Sequence, residues 1–410
     1  FPYTTLFRSN RGRSPASSTT NVCSQRRTSP IYAIATGPVK FQNLDLSSRP
    51  SSGQARWTMR KEIYRGTRDA ARALLARSRV VHLASTTADG APLLRTVHGV
   101  VIDDLLAFHG APAGEKLAAL GRPAVLSADE IVAEIPSYFF DPERACPATT
   151  YYRSAQVHGV LTELADSEQK ARVLQALMDK YQPEGGYVPI TADDPRYRKA
   201  IDGILIVAVS LADLDGKDKL GQNRRPEEMA HILEMLWRRG HAGDPRAIEA
   251  LRAANPATPD PAFLRAPPGA RLCCVVDECE AGAAAALLAD TYWNRDVPPE
   301  RIARAHRGAG AWVGAHDEHG RLIASARAVG DGAKWVDIRD VVVTPAWRGR
   351  GLGEAIVRLL LDHPFVRHAH AVHLHTRDAQ AFYHRFGFGD APQNPNTAMR
   401  LLRPQPARSE

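Results

Sequence analysis

The stretch Val341-Val-Val-Thr-Pro-Ala-Trp-Arg-Gly-Arg-Gly-Leu-Gly353, followed by Glu354-Ala-Ile-Val-Arg-Leu-Leu-Leu361, admits few folds. The apolar β-branched residues predict a strand, Pro345 a turn, and the residues from Glu354 a helix. A strand, a glycine-rich loop and a helix start together make a backbone cradle for anions. Glycines let the main chain approach a ligand, and the free N–H groups of the first helical turn point at it. Arg348 and Arg350 add charge-assisted donors. Arg348, Gly349, Arg350, Gly351, Leu352 and Gly353 are therefore the candidate phosphate-binding set.

A second segment lies downstream. A strand, Ala371-Val-His-Leu-His375, leads into Asp378-Ala-Gln-Ala-Phe-Tyr-His-Arg-Phe-Gly-Phe388. Together, R-x-x-G-x-G and A-x-F-Y-x-x-x-G-F resemble the GNAT family of acetyl-CoA-dependent N-acyltransferases, over about 271–402. The resemblance implies that Arg348 to Gly353 grip the diphosphate of coenzyme A. It implies that Val341, Val342 and Val343 pair with the pantetheine arm, and that Tyr383 protonates the leaving thiolate. An amine acceptor, a small molecule or a peptide, would attack the thioester directly, so a positioner, a proton acceptor and a proton donor suffice. No base is identifiable; Asp337 and Asp340 flank the central strand as weak candidates, and water can serve. The ordinary alternative for Tyr383 is a core aromatic beside Phe382 and Phe386.

The chain has 410 residues, enough for two or three domains, and 44% apolar residues, enough for sizeable cores. No stretch has the apolar length of a membrane span. Five scattered cysteines argue against a disulfide framework and fit a reducing cytoplasm. The net charge of +8 sits almost entirely in residues 1–58, which hold eight Lys/Arg and one acid. The remaining 45 bases and 44 acids leave a nearly neutral body, so neither nucleic acid nor membrane is an expected partner. Residues 1–58 are Ser/Thr/Arg-rich without periodicity and are expected to be disordered and without function. Such a composition suits a transit peptide. However, the first methionine is Met59, where amphipathic order begins, and the opening Phe-Pro-Tyr-Thr-Thr-Leu-Phe-Arg-Ser resembles a translated sequencing adapter. An assembly artefact ahead of a start at Met59 is the favoured expectation.

From residue 59 to 224 the pattern is of many strands separated by turn signals, with a few helices, which suggests a small barrel. Strands are expected at Val80–Thr86, Leu93–Val101, Leu105–His109, Ala124–Leu126, Ile131–Tyr138, Tyr152–Leu161 and Ile201–Val209, and helices at Thr67–Ala76, Glu115–Leu120 and Ser167–Tyr181. Leu94-Arg-Thr-Val-His-Gly99, Phe108-His-Gly-Ala-Pro-Ala-Gly-Glu-Lys116 and Tyr152-Arg-Ser154 resemble the FMN-binding split barrel of the pyridoxamine-phosphate-oxidase-like superfamily, in its nitroimidazole-reductase-like branch. The resemblance implies FMN contacts at Arg95, Thr96, Val97, His98, His109, Lys116, Arg153 and Ser154, and a homodimer with flavin at its interface. A flavin phosphate needs two or three cationic or hydroxyl donors, and Arg95, Thr96, Lys116 and Ser154 supply them. The plain alternative is strand residues satisfied by local hydrogen bonds. A flavin pocket by itself names no reaction.

Residues 225–270 read as a helix at Pro226–Arg239, a second from Asp244 as N-cap to Ala253, and a Pro-rich linker. The acyltransferase-like part, 271–405, follows as strand Leu272–Val276, helices Gly282–Trp293 and Pro299–His306, and strands Trp312–His316, Leu322–Val329 and Trp335–Val343. The loop and helix come next, and a last strand is expected near Met399–Leu401. The helices between Gly282 and His306 and the region after Phe388 are expected to shape the acceptor site. His368, His370, His373 and His375 divide between two strand faces and carry no metal expectation. Cys273, Cys274 and Cys279 lack zinc-site spacing. The expected architecture is a split β-barrel followed by an α/β acyltransferase fold. Three functional readings stay open: an acyltransferase fused to a flavin oxidoreductase, an acyltransferase whose barrel only binds, senses or dimerises, or a barrel that reduces a nitro compound or oxidises an amine which the acyltransferase then acylates.

Overall fold

The computed structural model describes residues 61–389; the 1–58 tail and the strand expected near Met399 lie outside them. Among the described residues the architecture is mixed α/β, with three sheets.

Helix α1 (Arg68–Arg77) is capped by Thr67, whose hydroxyl accepts from Ala70 N. It buries Ala71, Leu74 and Leu75 against the first barrel sheet. That sheet, ordered β2-β1-β5-β6-β9, contains β1 (Val81–Thr86) and β2 (Pro92–Val97). The other barrel sheet begins with β3 (Val100–Ile102) and β4 (Leu105–Gly110), which α2 (Glu115–Ala118) follows. The first sheet continues with β5 (Pro123–Ile135) and β6 (Thr149–Val160). Then come β7 (Thr162–Glu163), α3 (Ser167–Tyr181), α4 (Pro195–Asp202), β8 (Leu205–Ser210) and β9 (Asp213–Lys219). The second sheet runs β3-β4-β8-β7. Leu83, Leu126, Ala155 and Val157 from one sheet meet Leu106, Phe108, Val207 and Val209 from the other in one core, a split-barrel-like arrangement.

Several local expectations change. The single strand expected at 93–101 is two strands in different sheets, broken at His98-Gly99. At Gly99 a Cβ would stand 2.8 Å from Val81, so only a glycine lets the chain turn there. Conversely, the strands expected at 124–126 and 131–138 are one 13-residue strand, β5, kept continuous by a bulge between Ile131 and Ala133, and Ser137–Phe139 is a 3-10 turn. The strand expected from Ile201 begins at Leu205, because Asp194 caps α4 over the preceding residues. β9, Asp-Leu-Asp-Gly-Lys-Asp-Lys, carries no apolar alternation and is held by pairing with β6.

Helices α5 (Pro226–Arg239) and α6 (Asp244–Ala254) follow. Asp244 is not the N-cap of α6. It is the first helical residue after Gly243, and its carboxylate binds Arg239 and accepts from His241 N. α5 turns Met229, Ile232, Leu233, Leu236 and Trp237 inward. Phe263 and Leu264, within the Pro-rich stretch, are buried too. These residues join Ile135, Phe139 and Tyr151 of the barrel to Leu272, Val313, Ala324 and Ile356 of the C-terminal part in one apolar cluster.

The C-terminal sheet is β10 (Ala270–Cys273), β11 (Ala311–Asp317), β12 (Leu322–Gly330), β13 (Trp335–Val343) and β14 (Ala371–Leu374), in that order. Helices α7 (Glu278–Leu288) and α8 (Pro299–Arg307) precede β11. α7 starts four residues before the expected position because Asp277 caps it, which leaves Tyr292 and Trp293 beyond its end. α9 (Leu352–Asp362) packs on the opposite sheet face from α7, and α10 (Gln380–His384) closes the described chain. β13 is antiparallel to β12 and parallel to β14.

Candidate functional site

The parallel pairing of β13 with β14 runs from Trp335↔Ala371 to Ile338↔Leu374 and stops. Beyond it the two strands part. On its other side β13 stays paired to β12, with Val343 opposite Ala324 and a bulge near Arg327. Thr344 N donates to Ile323 O at 2.9 Å, a bonded pair. Antiparallel bonds alternate, so Val343 turns its backbone groups to the open side and Val342 turns its own to β12, while Val341 lies in the bulge. Val342's side chain packs with Ala285, Leu288 and Ile302 beneath α7 and α8.

The loop then forms as its residues require. Pro345–Trp347 make a 3-10 turn. Gly349 and Gly351 hold φ of 75° and 81°. An L side chain there costs roughly 1–2 kcal/mol. Gly351 is the N-cap of α9, and Leu352 is fully buried, so the helix start is anchored in the core. The first intrahelical bond runs from Ala355 N to Gly351 O. The N–H groups of Leu352, Gly353 and Glu354 precede it and face outward along the axis. Arg350 lies over the Trp347 ring, 5.1 Å from its centroid. Arg348 Nε donates to Val343 O at 3.1 Å. Gly353 sits where a Cβ would meet Phe382 at 3.6 Å and Val343 at 3.7 Å. The loop and the open edge of β13 are thus contiguous.

Tyr383 lines a crevice of about 650 Å³ between β13 and the β14–α10 segment, facing Trp293, Arg327, Asp340 and Val341. Its ring stands edge-on to Phe382 at 5.0 Å and to Phe388 at 6.0 Å. It therefore packs against the core and also reaches the crevice. Burial raises its phenol above the ordinary tyrosine value, which keeps the proton on the ring. Of the two carboxylates considered as bases, Asp337 lies 3.4 Å from Arg339. Asp340 accepts from Arg327 Nε at 2.6 Å and from Trp293 Nε1 at 3.1 Å. Trp293 falls within the 282–306 region expected to shape the acceptor site, whereas Arg327 was not expected in the crevice. Arg327 has no local signal, since only the bulge between β12 and β13 brings it there.

In the barrel, His98, His109 and Lys116 are neighbours. His109 is held below its ordinary value by partial burial, then by His98 and Lys116. A Cβ at Gly110 would meet Lys116 Nζ at 3.1 Å, so the lysine lies along β4. Thr96 Oγ1 is 3.3 Å from His82 Nδ1 on the outer sheet face, next to the edge. Val97 is buried in the core. Arg95 on β2 bonds the Leu94 carbonyl. Ser154 lies elsewhere. Thr96 is opposite His82, His82 opposite Ser127 and Ser127 opposite Gln156, which places Ser154 three strands over and two residues along. By strand spacing that is on the order of 15 Å. Arg153 is 3.8 Å from Asp218. One chain brings His98, His109 and Lys116 together, carries Arg95 and Thr96 on β2 of the other barrel sheet, and leaves Arg153 and Ser154 apart from both. Among the described residues no group of three or more His, Cys, Asp or Glu is arranged for a metal.

Comparison with known proteins divides the chain in the same two parts. Residues 67–218 match the family model for pyridoxamine 5'-phosphate oxidase, and residues 281–388 match that for the acetyltransferase (GNAT) family. A curated relative, GCN5-related N-acetyltransferase 1, chloroplastic, from Arabidopsis thaliana, is 33% identical over 100 residues, 24% of this chain. The chain spans half the length of that relative. Among solved structures, the FAD and heme binding protein from Mycobacterium smegmatis is 22% identical, with 40% of this chain and 77% of that one covered and a TM-score of 0.33. An acetyltransferase from Trypanosoma brucei is 23% identical, with 32% and 99% covered and a TM-score of 0.27. The chain joins an N-terminal pyridoxamine oxidase-like domain to a C-terminal domain of the GNAT acetyltransferase family.

Proposed function

We propose that the C-terminal domain moves an acetyl group from acetyl-CoA to the nitrogen of a small-molecule or peptide amine. The observation that carries this reading is the meeting of two features at one place, the α9 start framed by Gly349 and Gly351 and the open edge of β13. The N–H groups of Leu352, Gly353 and Glu354, with Arg348 and Arg350, suit a diphosphate. The backbone groups of Val343 suit the amides of a pantetheine arm. The thioester would then lie in the crevice beside Tyr383. A free amine attacks the carbonyl, its nitrogen loses a proton to water, and the thiolate leaves with the phenolic proton of Tyr383. Calorimetric titration with acetyl-CoA, followed by thiol release against an amine panel, tests this. Absence of binding would end the reading.

For the N-terminal domain we infer an FMN site. His98, His109 and Lys116 fit the anionic end of a flavin, and Arg95 and Thr96, on β2, precede His98 in the chain. Arg153 and Ser154 fit the same ligand only if a second copy supplies them. Exposed Leu94 and Ile131 on that sheet favour a homodimer that does so. A bound flavin would supply hydride or electron transfer, while these residues would hold and orient it. The second reading, a barrel that binds flavin without turnover, differs only in whether NAD(P)H bleaches the oxidised-flavin absorbance. Purified protein that takes up no added FMN would remove both. No helix among the described residues is long and apolar enough to cross a membrane; the cysteines, scattered without a pairing pattern, favour a reducing cytoplasm.

A further inference from the structure

Asp340 has a backbone shape unusual for its position. Within β13 it holds φ of 53°, in the left-handed region, just where the strand leaves β14. Asp and Asn tolerate that region better than other side chains, but at a cost that the surroundings must offset. Donors from two separate elements meet its carboxylate. Arg327 Nε of β12 donates to Oδ2 at 2.6 Å. Trp293 Nε1 donates to Oδ1 at 3.1 Å, and Asn294 Nδ2 lies 3.5 Å from the same oxygen. His306 of α8 stands behind, its Nε2 3.8 Å from Oδ2. His306 is fully buried and its Nδ1 accepts from Trp312 Nε1 at 3.0 Å, so the proton of the neutral ring sits on Nε2 and faces the carboxylate. That Nε2 has no hydrogen-bond partner among the described residues.

We propose that Asp340 is the positioning residue of the acceptor side: it ties the Tyr292–Asn294 turn to the bulge of β13 and so builds the crevice wall that faces Tyr383. This rests on the acyltransferase reading above. Three features support it. The carboxylate is nearly shielded from solvent, with its lone pairs taken by Arg327 and the turn, so it is poorly placed to receive a proton from an incoming amine. Its charge is matched by Arg327, and His306 is neutral because burial pushes it down to about 4. Trp293 and Asn294 have crevice-lining side chains whose polar ends are bonded to Asp340. Across the crevice the charged neighbours are Arg377 and Asp378, which lie 3.8 Å apart. Arg339 and Asp337 pair with each other further down β13.

The test is Asp340→Asn, which keeps the backbone conformation and two hydrogen-bonding groups but removes the charge. Hydrogen exchange of the 289–298 segment reads the anchoring without needing turnover, and faster exchange in the variant is expected. Steady-state kinetics read the consequence. KM for the amine should rise about tenfold, the loss of one charge-assisted hydrogen bond, while KM for acetyl-CoA and the pH dependence of kcat stay as in the unaltered protein. Trp293→Phe, which deletes one donor and keeps the ring, should raise the amine KM less. Unchanged exchange would overturn the anchoring, and a kcat loss of about 10²–10⁴ with a displaced pH profile would make Asp340 the base instead. Faster exchange in the variant with no acetylation of any amine by the unaltered protein would leave the anchor standing and remove the acyltransferase reading.

Discussion

Arg348 reaches back along the loop to donate its Nε–H to the Val343 carbonyl across 3.1 Å. That carbonyl belongs to the open edge of β13, so the first arginine of the loop and the strand that would meet the pantetheine arm share a hydrogen bond. A ligand with both a diphosphate and an amide-bearing arm competes for each end of that contact. The guanidinium is exposed and makes no core contact, so its removal should be felt in binding alone.

Arg348→Ala should weaken acetyl-CoA binding roughly tenfold to a hundredfold and leave the melting temperature within a degree or two. Calorimetric titration and a thermal scan on the same sample check both halves. Unchanged affinity would contradict the diphosphate assignment.

Gly351→Ala separates conformation from space. The nearest atom to a Cβ there is Pro267 Cγ at 3.9 Å, so nothing clashes. The φ of 81° alone should cost about 1–2 kcal/mol. A lower urea midpoint with unchanged slope is expected, together with weaker acetyl-CoA binding from a displaced helix start.

Tyr383→Phe keeps the edge-on packing with Phe382 and Phe388 and deletes only the hydroxyl. Turnover should fall about 10²–10⁴-fold with little change in stability. Because burial raises this phenol, the proton stays on to higher pH than for an ordinary tyrosine. Any alkaline loss of activity attributed to it should therefore lie above pH 10. A pH–rate profile of the two proteins decides.

Acid should destabilise the fold through two histidines. His306 and His363 are both pushed down to about 4 from an ordinary 6.5, chiefly by burial. The unfolded chain then binds protons that the folded one refuses. Stability is whole above about pH 6.5 and falls as the pH drops toward 4, by at most on the order of 3 kcal/mol per histidine. Urea denaturation at pH 7.5 and 5.0 measures this, and His363→Asn should flatten the dependence.

The helical segment between the two domains should be required by the second. Trp237 stacks on Phe263 at 4.4 Å and donates its Nε1–H to Asp362 at the end of α9, while Arg367 donates to the Trp237 and Arg238 carbonyls. Trp237→Ala should cost about 3–5 kcal/mol. A fragment starting at Arg271 should melt far lower than one starting at Pro226, as circular dichroism would read.

Local order was legible in the chain. Helix α5 was placed residue for residue and β13 likewise, because each shows an unbroken apolar period between clear stop signals. The form of the loop was legible too, since glycines ahead of a helix start admit the positive φ that Gly349 and Gly351 hold. Tertiary structure decided the rest. Polar β9 is a strand only because β6 lies beside it, and Gly99 splits one apolar run between two sheets because Val81 leaves no room for a Cβ. Arg327, Trp293 and Asp340 lie far apart in sequence and meet only where β13 bulges. Periodicity records which face of an element is buried. It holds no information on which distant side chain will stand opposite, because that depends on how whole elements pack.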